Sequence, residues 1–183
     1  MTTYLPLTIA CFLVFQFIAV PALAQKTIDI TTTASIHATP EEAFELLTSL
    51  KRFPEWSPFI VSDPNQQNHV TGTDGQVGAV FHWEGVDEKS KGQQTLVAAT
   101  GGTYVRMECE IEVPFEASPV FTYQIDQSPN GIVVTQHFSL PCSGFQRFMM
   151  KLFGVPKQVA ETNALGMARF KELLEQESAV AQR

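Results

Sequence analysis

A long amphipathic pattern closes the chain, running from Ser143 to Arg183 after everything that reads as strand. Its first limb sets Phe145, Phe148, Met149, Leu152 and Phe153 on one stripe, at the i, i+3, i+4, i+7, i+8 spacing of a helix face. Gly154 and Pro156 interrupt it, because proline removes a backbone donor and clashes with the preceding turn. The second limb places Val159, Asn163, Gly166, Met167, Phe170 and Leu174 on one face, with Arg169, Lys171, Glu172 and Glu175 mostly on the other. A terminal helix with one apolar face needs a sheet to lie on. If that sheet is strongly curved, the two can enclose a cavity rather than a solid core.

The preceding residues supply such a sheet. Thr27 to Ala38 alternates, with Ile28, Ile30, Thr32, Ala34 and Ile36 on one side, as a half-buried strand does. Thr39-Pro40-Glu41-Glu42 then predicts a helix start, with Thr39 as cap, Pro40 in the first turn and Glu42 completing a capping box. Ala43, Phe44, Leu46, Leu47 and Leu50 give that helix its apolar side, and a second short turn is expected over Lys51 to Trp56. A meander follows: Asn65 to Thr73, Val77 to Glu84, Gln93 to Ala99, Thr103 to Val113, Phe121 to Asp126 and Ile132 to Leu140. Gly101-Gly102 and Ser128-Pro129-Asn130-Gly131 punctuate it as turns. The order predicts an α+β domain.

The first 24 residues are of another kind. Leu5 to Val20 is almost wholly apolar and uncharged, and Ala22 and Ala24 offer the small residues a signal peptidase accepts. The run is shorter than the roughly 20 residues that span a bilayer. A signal peptide over residues 1–24 is therefore expected, with the mature protein beginning at Gln25 and secreted or periplasmic. Residues 25–183 suit one domain, for no linker or repeat divides them. All of the net charge of −7 falls there, which argues against nucleic acid and disfavours general adsorption to anionic lipid. Of the cysteines only Cys109 and Cys142 remain, one in mid-strand and the other just after a strand two places later. Second-neighbour strands lie too far apart for a disulfide, so the two are expected to be unbridged.

The arrangement is that of a helix grip, and particular residues carry a closer likeness. Trp56-Ser57-Pro58-Phe59 after a Pro-Glu-Glu-Ala-Phe helix resembles the SRPBCC, or START-like, superfamily. Phe81-His82-Trp83-Glu84-Gly85, Gly92 opening a strand, and Pro114-Phe115-Glu116-Ala117 are similar to its polyketide cyclase/dehydrase branch. So is Gly166-Met167-Ala168-Arg169-Phe170-Lys171 with Glu175 in the terminal helix. The resemblance spans nearly all of residues 27 to 177. It implies a curved antiparallel sheet of about seven strands gripping the terminal helix, with an apolar ligand cavity between them.

On that footing the sheet is expected to line the cavity with Phe81, Trp83, Leu96, Met107, Phe121, Tyr123, Val134 and Phe138. Trp56 joins them from the short helical turn, and Met167 and Phe170 from the terminal helix. Gln136 and Asn163 are amides where the resemblance leads one to expect large apolar side chains. Facing one cavity, they could orient a ligand carbonyl or hydroxyl; the plainer alternative is a satisfied amide pair or a bound water. The leading expectation is a binding protein for a hydrophobic small molecule: a lipid, an isoprenoid quinone or a polyketide-like compound. A cyclase/dehydratase using the same cavity is the alternative, and a filled-core interaction module is the third. An inward titratable side chain would favour the enzyme; a cavity too small for a ligand would favour the module.

Other constellations read as structural. His37, His69, His82 and His137 fall on faces that alternate away from the apolar ones, so solvent exposure or simple pairing is expected of them, not catalysis. Glu108, Glu110 and Glu112 form the wet face of an amphipathic strand, since unpaired buried carboxylates are costly. No nucleophile-elbow, zinc, phosphate-loop or dinucleotide motif occurs, so neither metal nor cofactor is expected. The Phe145–Phe153 stripe reads first as core beneath the sheet. With Arg147, Lys151 and Lys157 meeting phosphates, it would instead suit a mobile cavity mouth in transient contact with a membrane.

Overall fold

A computed structural model describes residues 26–58, 63, 65–87 and 89–181. The apolar segment expected to be a signal, and Gln25 after it, lie outside the described residues. Strand β1 (Lys26–Ile36) leads into helices α1 (Pro40–Thr48) and α2 (Phe53–Trp56). Strands β2 (Gln67–Thr71), β3 (Val80–Glu84), β4 (Lys91–Thr100), β5 (Tyr104–Val113), β6 (Val120–Ser128) and β7 (Gly131–Cys142) follow. Helices α3 (Gly144–Leu152) and α4 (Val155–Ala181) end the described chain. The strands form one curved antiparallel sheet in the order β1-β7-β6-β5-β4-β3-β2. It is a seven-stranded helix grip, and the meander makes every neighbour but β1 consecutive in sequence.

Local chemistry fixes the ends of the helices. Thr39 Oγ1 accepts from Glu42 N, while Glu42 Oε2 accepts from Thr39 N at 2.8 Å, closing the capping box at α1. The same carboxylate oxygen accepts from Ser178 Oγ in α4, tying the two helices together. The Thr39 backbone amide is the main cause holding the Glu42 carboxyl below its ordinary range. Ser143 and Gln146 form a second capping box at α3. Gly154, at φ +71, adopts the left-handed conformation that separates α3 from α4. Arg52 bridges Glu55 of α2 and Glu177 of α4, fixing the short helix against the long one.

The core lies between the sheet and α1, α2 and α4. Ala43, Leu46, Leu47 and Leu50 come from the α1 region, Trp56 from α2, and Met167, Phe170 and Leu174 from α4. They meet Phe81, Leu96, Val105, Met107, Tyr123, Ile125, Ile132 and Val134 of the sheet. A second cluster, of Ile28, Phe138, Leu140 and Cys142, packs beneath the α3–α4 junction with Met150 and Val159. Cys109 and Cys142 are both buried and unbridged; β6 stands between their strands. Among the described residues no helix is long and apolar enough to cross a membrane.

Two expectations about burial are corrected by the fold. The α3 stripe is not core: Phe145 is 74% exposed, Phe148 62%, Leu152 66% and Phe153 68%. The sheet face is already covered by α1, α2 and α4, so α3 lies at its margin and turns Met150 inward instead. Trp83, expected inside, is only half-buried against the core. It sits on β3, one strand from the sheet edge, with its six-membered ring close against Gly92 of β4.

Candidate functional site

The site is assembled where α2 and α4 close over the middle of the sheet. Phe53, Trp56 and Pro58 come from α2 and its exit, Gln94 from β4, Phe121 and Tyr123 from β6, and Gln136 from β7. Thr162, Asn163 and Gly166 come from α4. Gly166 is a close approach: a Cβ there would stand 3.1 Å from Pro58 Cδ. Tyr123 and Gln136 are cross-strand partners, which brings their side chains to one face. The aromatic frame is edge-on, with Trp56 5.0 Å from Phe53, 5.3 Å from Phe170 and 6.4 Å from Tyr123 between ring centroids. The space these residues surround is small, ≈ 20 Å³. That is room for about one water. A ligand of drug or lipid size therefore requires α2 or α4 to move, or side chains to turn.

Of the residues expected to line a cavity, Trp56, Phe121, Tyr123, Gln136 and Asn163 surround this one. Phe81, Leu96, Met107, Val134, Met167 and Phe170 are buried in the surrounding core. Phe138 lies in the second cluster, and Trp83 is the half-buried edge residue already described. Phe53, Pro58, Gln94, Thr162 and Gly166 were not singled out as lining residues. The alternation that placed Leu96 inside also places Gln94 there, and Gly166 shares the helix stripe of Asn163. Those signals were present in the sequence.

Polar groups in the site are neutral and incompletely paired. Gln136 Nε2 donates to Tyr123 Oη at 3.0 Å, and Gln94 Nε2 reaches Met107 Sδ at 2.9 Å. Trp56 Nε1, Gln136 Oε1 and Asn163 Nδ2 are buried and have no hydrogen-bond partner. The two amides therefore do not satisfy each other. Each such atom typically costs about 1–3 kcal/mol while unpaired. Burial pushes the Tyr123 hydroxyl up to about 12, against the opposing pull of the Gln136 amide. Burial likewise lifts the Cys109 thiol to about 12, with Glu110 adding to it. Both stay protonated at neutral pH. A hydroxyl that accepts one bond still has its proton to donate. The site thus offers donors on Trp56, Asn163 and Tyr123 and an unpaired acceptor on Gln136 Oε1.

The histidines stand apart from this space. His37 meets Glu175 at 3.1 Å, Thr31 Oγ1 meets His137 Nδ1 at 3.0 Å, and His82 meets Thr71 while stacking on His69. Glu108, Glu110 and Glu112 are exposed along β5. Asp63, the one buried carboxylate among the described residues, accepts from the backbone amides of Val86 and Asp87 and organises that loop. Among the described residues no cluster of histidine, cysteine and carboxylate groups could hold a metal.

A curved sheet closed by a long helix, with an aromatic chamber between, is the architecture of the START-like domains. The chain belongs to the polyketide cyclase/dehydrase and lipid transport family, whose model matches residues 27–175. No curated protein matches the sequence. Among solved structures it is similar to the di-domain ARO/CYC StfQ from the steffimycin biosynthetic pathway. There the TM-score is 0.63 at 9% identity, over 84% of this chain and 52% of that one, so it spans about half of StfQ. It is also similar to a protein of unknown function, SA2116, from Staphylococcus aureus (TM-score 0.61, 10% identity, 85% of this chain and 98% of that one). A third likeness is to CV1439 from Chromobacterium violaceum (TM-score 0.59, 11% identity, 80% and 97%). Likenesses this distant speak for the fold alone.

Proposed function

We propose that this protein is exported and binds a hydrophobic small molecule carrying a neutral carbonyl or hydroxyl, held between the sheet and α4. The observation that carries this reading is the set of three buried, partnerless polar atoms on Trp56, Gln136 and Asn163. A purely structural core would gain by placing leucine or phenylalanine at these positions. None of the described residues that line the chamber is charged, which favours a neutral head over a carboxylate or phosphate. A carbonyl oxygen would accept from Trp56 and Asn163, and a hydroxyl could in addition donate to Gln136 Oε1. Membership of a family of cyclases, dehydrases and lipid transporters supports an apolar body for the ligand. Export to the periplasm or beyond rests on the charge-free apolar run and the Ala22-Leu23-Ala24 site. Protein recovered from the soluble extracytoplasmic fraction should accordingly have the mass of a chain beginning at Gln25; an intact Met1 in that fraction would overturn cleavage after Ala24, and recovery from the cytoplasm alone would overturn export.

Fluorenone and fluorene share a rigid aromatic body and differ by one carbonyl, which makes them a direct test. Fluorenone is expected to bind about tenfold more tightly, the 1.4 kcal/mol of one net hydrogen bond. Asn163→Leu should reduce that preference, leaving the Trp56 donor alone, while keeping or raising the melting temperature, because it removes an unpaired amide. A preference undiminished in Asn163→Leu would overturn the orienting role. The small chamber favours a second reading, a filled-core interaction module; failure of either probe to bind would select it. A cyclase or dehydratase would have to work with Tyr123 as a proton donor, since at neutral pH its raised pKa leaves it no basic form to use.

A further inference from the structure

Helix α3 presents an apolar face to solvent that nothing among the described residues covers. None of its nine residues is buried, and Phe145, Phe148, Leu152 and the following Phe153 are each more than three-fifths exposed. Three large side chains on one short helix and a fourth just after it are far more than the scattered apolar residues an ordinary surface carries.

The charge around them is equally unlike the rest of the molecule. The chain has 19 acidic residues against 12 basic ones, yet no Asp or Glu occurs from residue 127 to 160. Arg147, Lys151 and Lys157 fall in that stretch, and Lys26 Nζ reaches to within 3.5 Å of where a Cβ on Gly144 would sit. Lys151 closes the last turn of α3, and Lys157 extends into solvent with its side chain 82% exposed. Glu161 pairs with Lys157 at 3.8 Å and Asp29 lies within electrostatic reach of Arg147, so the four cations here meet two acids and this end stays basic on an acidic domain.

We infer that α3 docks the protein on an anionic phospholipid surface, with Phe145, Phe148, Leu152 and Phe153 entering the headgroup–acyl boundary. Lysines at the margin of an exposed aromatic stripe are what an interfacial helix needs: apolar area to bury, and cations to meet phosphates. Charge complementarity selects this occupant over a second copy of the chain. A two-fold pairing through the same face would set each net-basic rim against its own image, the neighbouring Glu161 being already paired with Lys157 of its own helix. The inference stands on α3 alone and does not depend on the ligand assigned to the chamber.

Sedimentation with phosphatidylcholine vesicles, with and without phosphatidylglycerol, tests it, alongside hydrogen exchange of the α3 amides. Wild-type protein is expected to pellet with the anionic vesicles and to show slowed exchange over residues 145–153 on their addition. Phe148→Ser/Leu152→Ser should weaken that partitioning by about tenfold or more, and Lys151→Glu should weaken it on anionic but not neutral vesicles. Because both substituted side chains are exposed, melting temperatures should not change. Wild type and variants are purified from the same envelope fraction, so they share the N-terminus that export leaves and differ only in α3. Equal partitioning of wild type and the double variant overturns the inference. So does unchanged exchange over 145–153, or a dimer that the double variant abolishes without any vesicle effect, which would assign the face to a second copy.

Discussion

Truncating Phe170 to alanine is expected to cost about 3–5 kcal/mol of folding stability, as deletion of a fully enclosed phenyl ring does. The ring has no exposed surface, and it stands edge-on to Trp56 at 5.3 Å, with an interplanar angle of 74°. Its loss removes both the burial and that oriented contact, the latter worth about 0.5–1.5 kcal/mol in comparable pairs. Phe170 lies where α4 meets α2 over the sheet, so the surrounding helices cannot close the gap without losing their own contacts. Against a typical domain stability of about 5–15 kcal/mol, this is a large fraction. Denaturant unfolding of the two proteins should show a lower midpoint at an unchanged slope. A loss under about 1 kcal/mol would mean that the position behaves as surface.

Gly92→Ala is expected to be as damaging for the opposite reason, that space is lacking. A Cβ at residue 92 would stand 2.3 Å from the Glu110 carbonyl oxygen and 2.5 Å from Trp83 Cζ2. Trp83 can rotate away, since it is only half-buried. Glu110 cannot, because its backbone is fixed in the β4–β5 ladder opposite Gln93, beside the irregularity between Lys91 and Gly92. Relief requires opening the ladder at the centre of the sheet's outer half. The expected loss is about 3 kcal/mol or more, at the upper end for overpacking by one methyl group. It should be accompanied by a red-shifted tryptophan emission as Trp83 is displaced. A variant of wild-type stability would show that the strands separate there more readily than their pairing implies.

Much of the fold was legible because its signals are local. The capping box at Thr39, the alternation of β1, β5 and β7 and the interruption at Gly154 and Pro156 each appear where the residues place them. Gly92 was visible as the opening of a strand, but its need for glycine comes from Trp83 and Glu110, which belong to other strands. The α3 stripe shows where periodicity ends as a guide: it marks one face as apolar but not what that face meets. Whether it was core depended on how much sheet α1, α2 and α4 had already covered, which is a tertiary fact. The chamber itself was legible in part. Gln136 and Asn163 stood out as amides on apolar faces, and the alternation of β4 carries the same signal for Gln94, whereas the unpaired Trp56 Nε1 joins them only once α2 and α4 are brought together.

Native mass spectrometry of the protein taken from its own cell envelope, without organic solvent, tests the central claim most directly. A chamber with three unpaired polar atoms is expected to hold its ligand through purification. The spectrum should therefore show the protein plus a discrete small mass, released by solvent extraction and carrying a carbonyl or hydroxyl on an apolar body. The adduct should be reduced in Asn163→Leu relative to wild type. A bare protein mass in both, from cells in which the protein is abundant and folded, would contradict the ligand-binding account and leave the filled core as the meaning of the chamber.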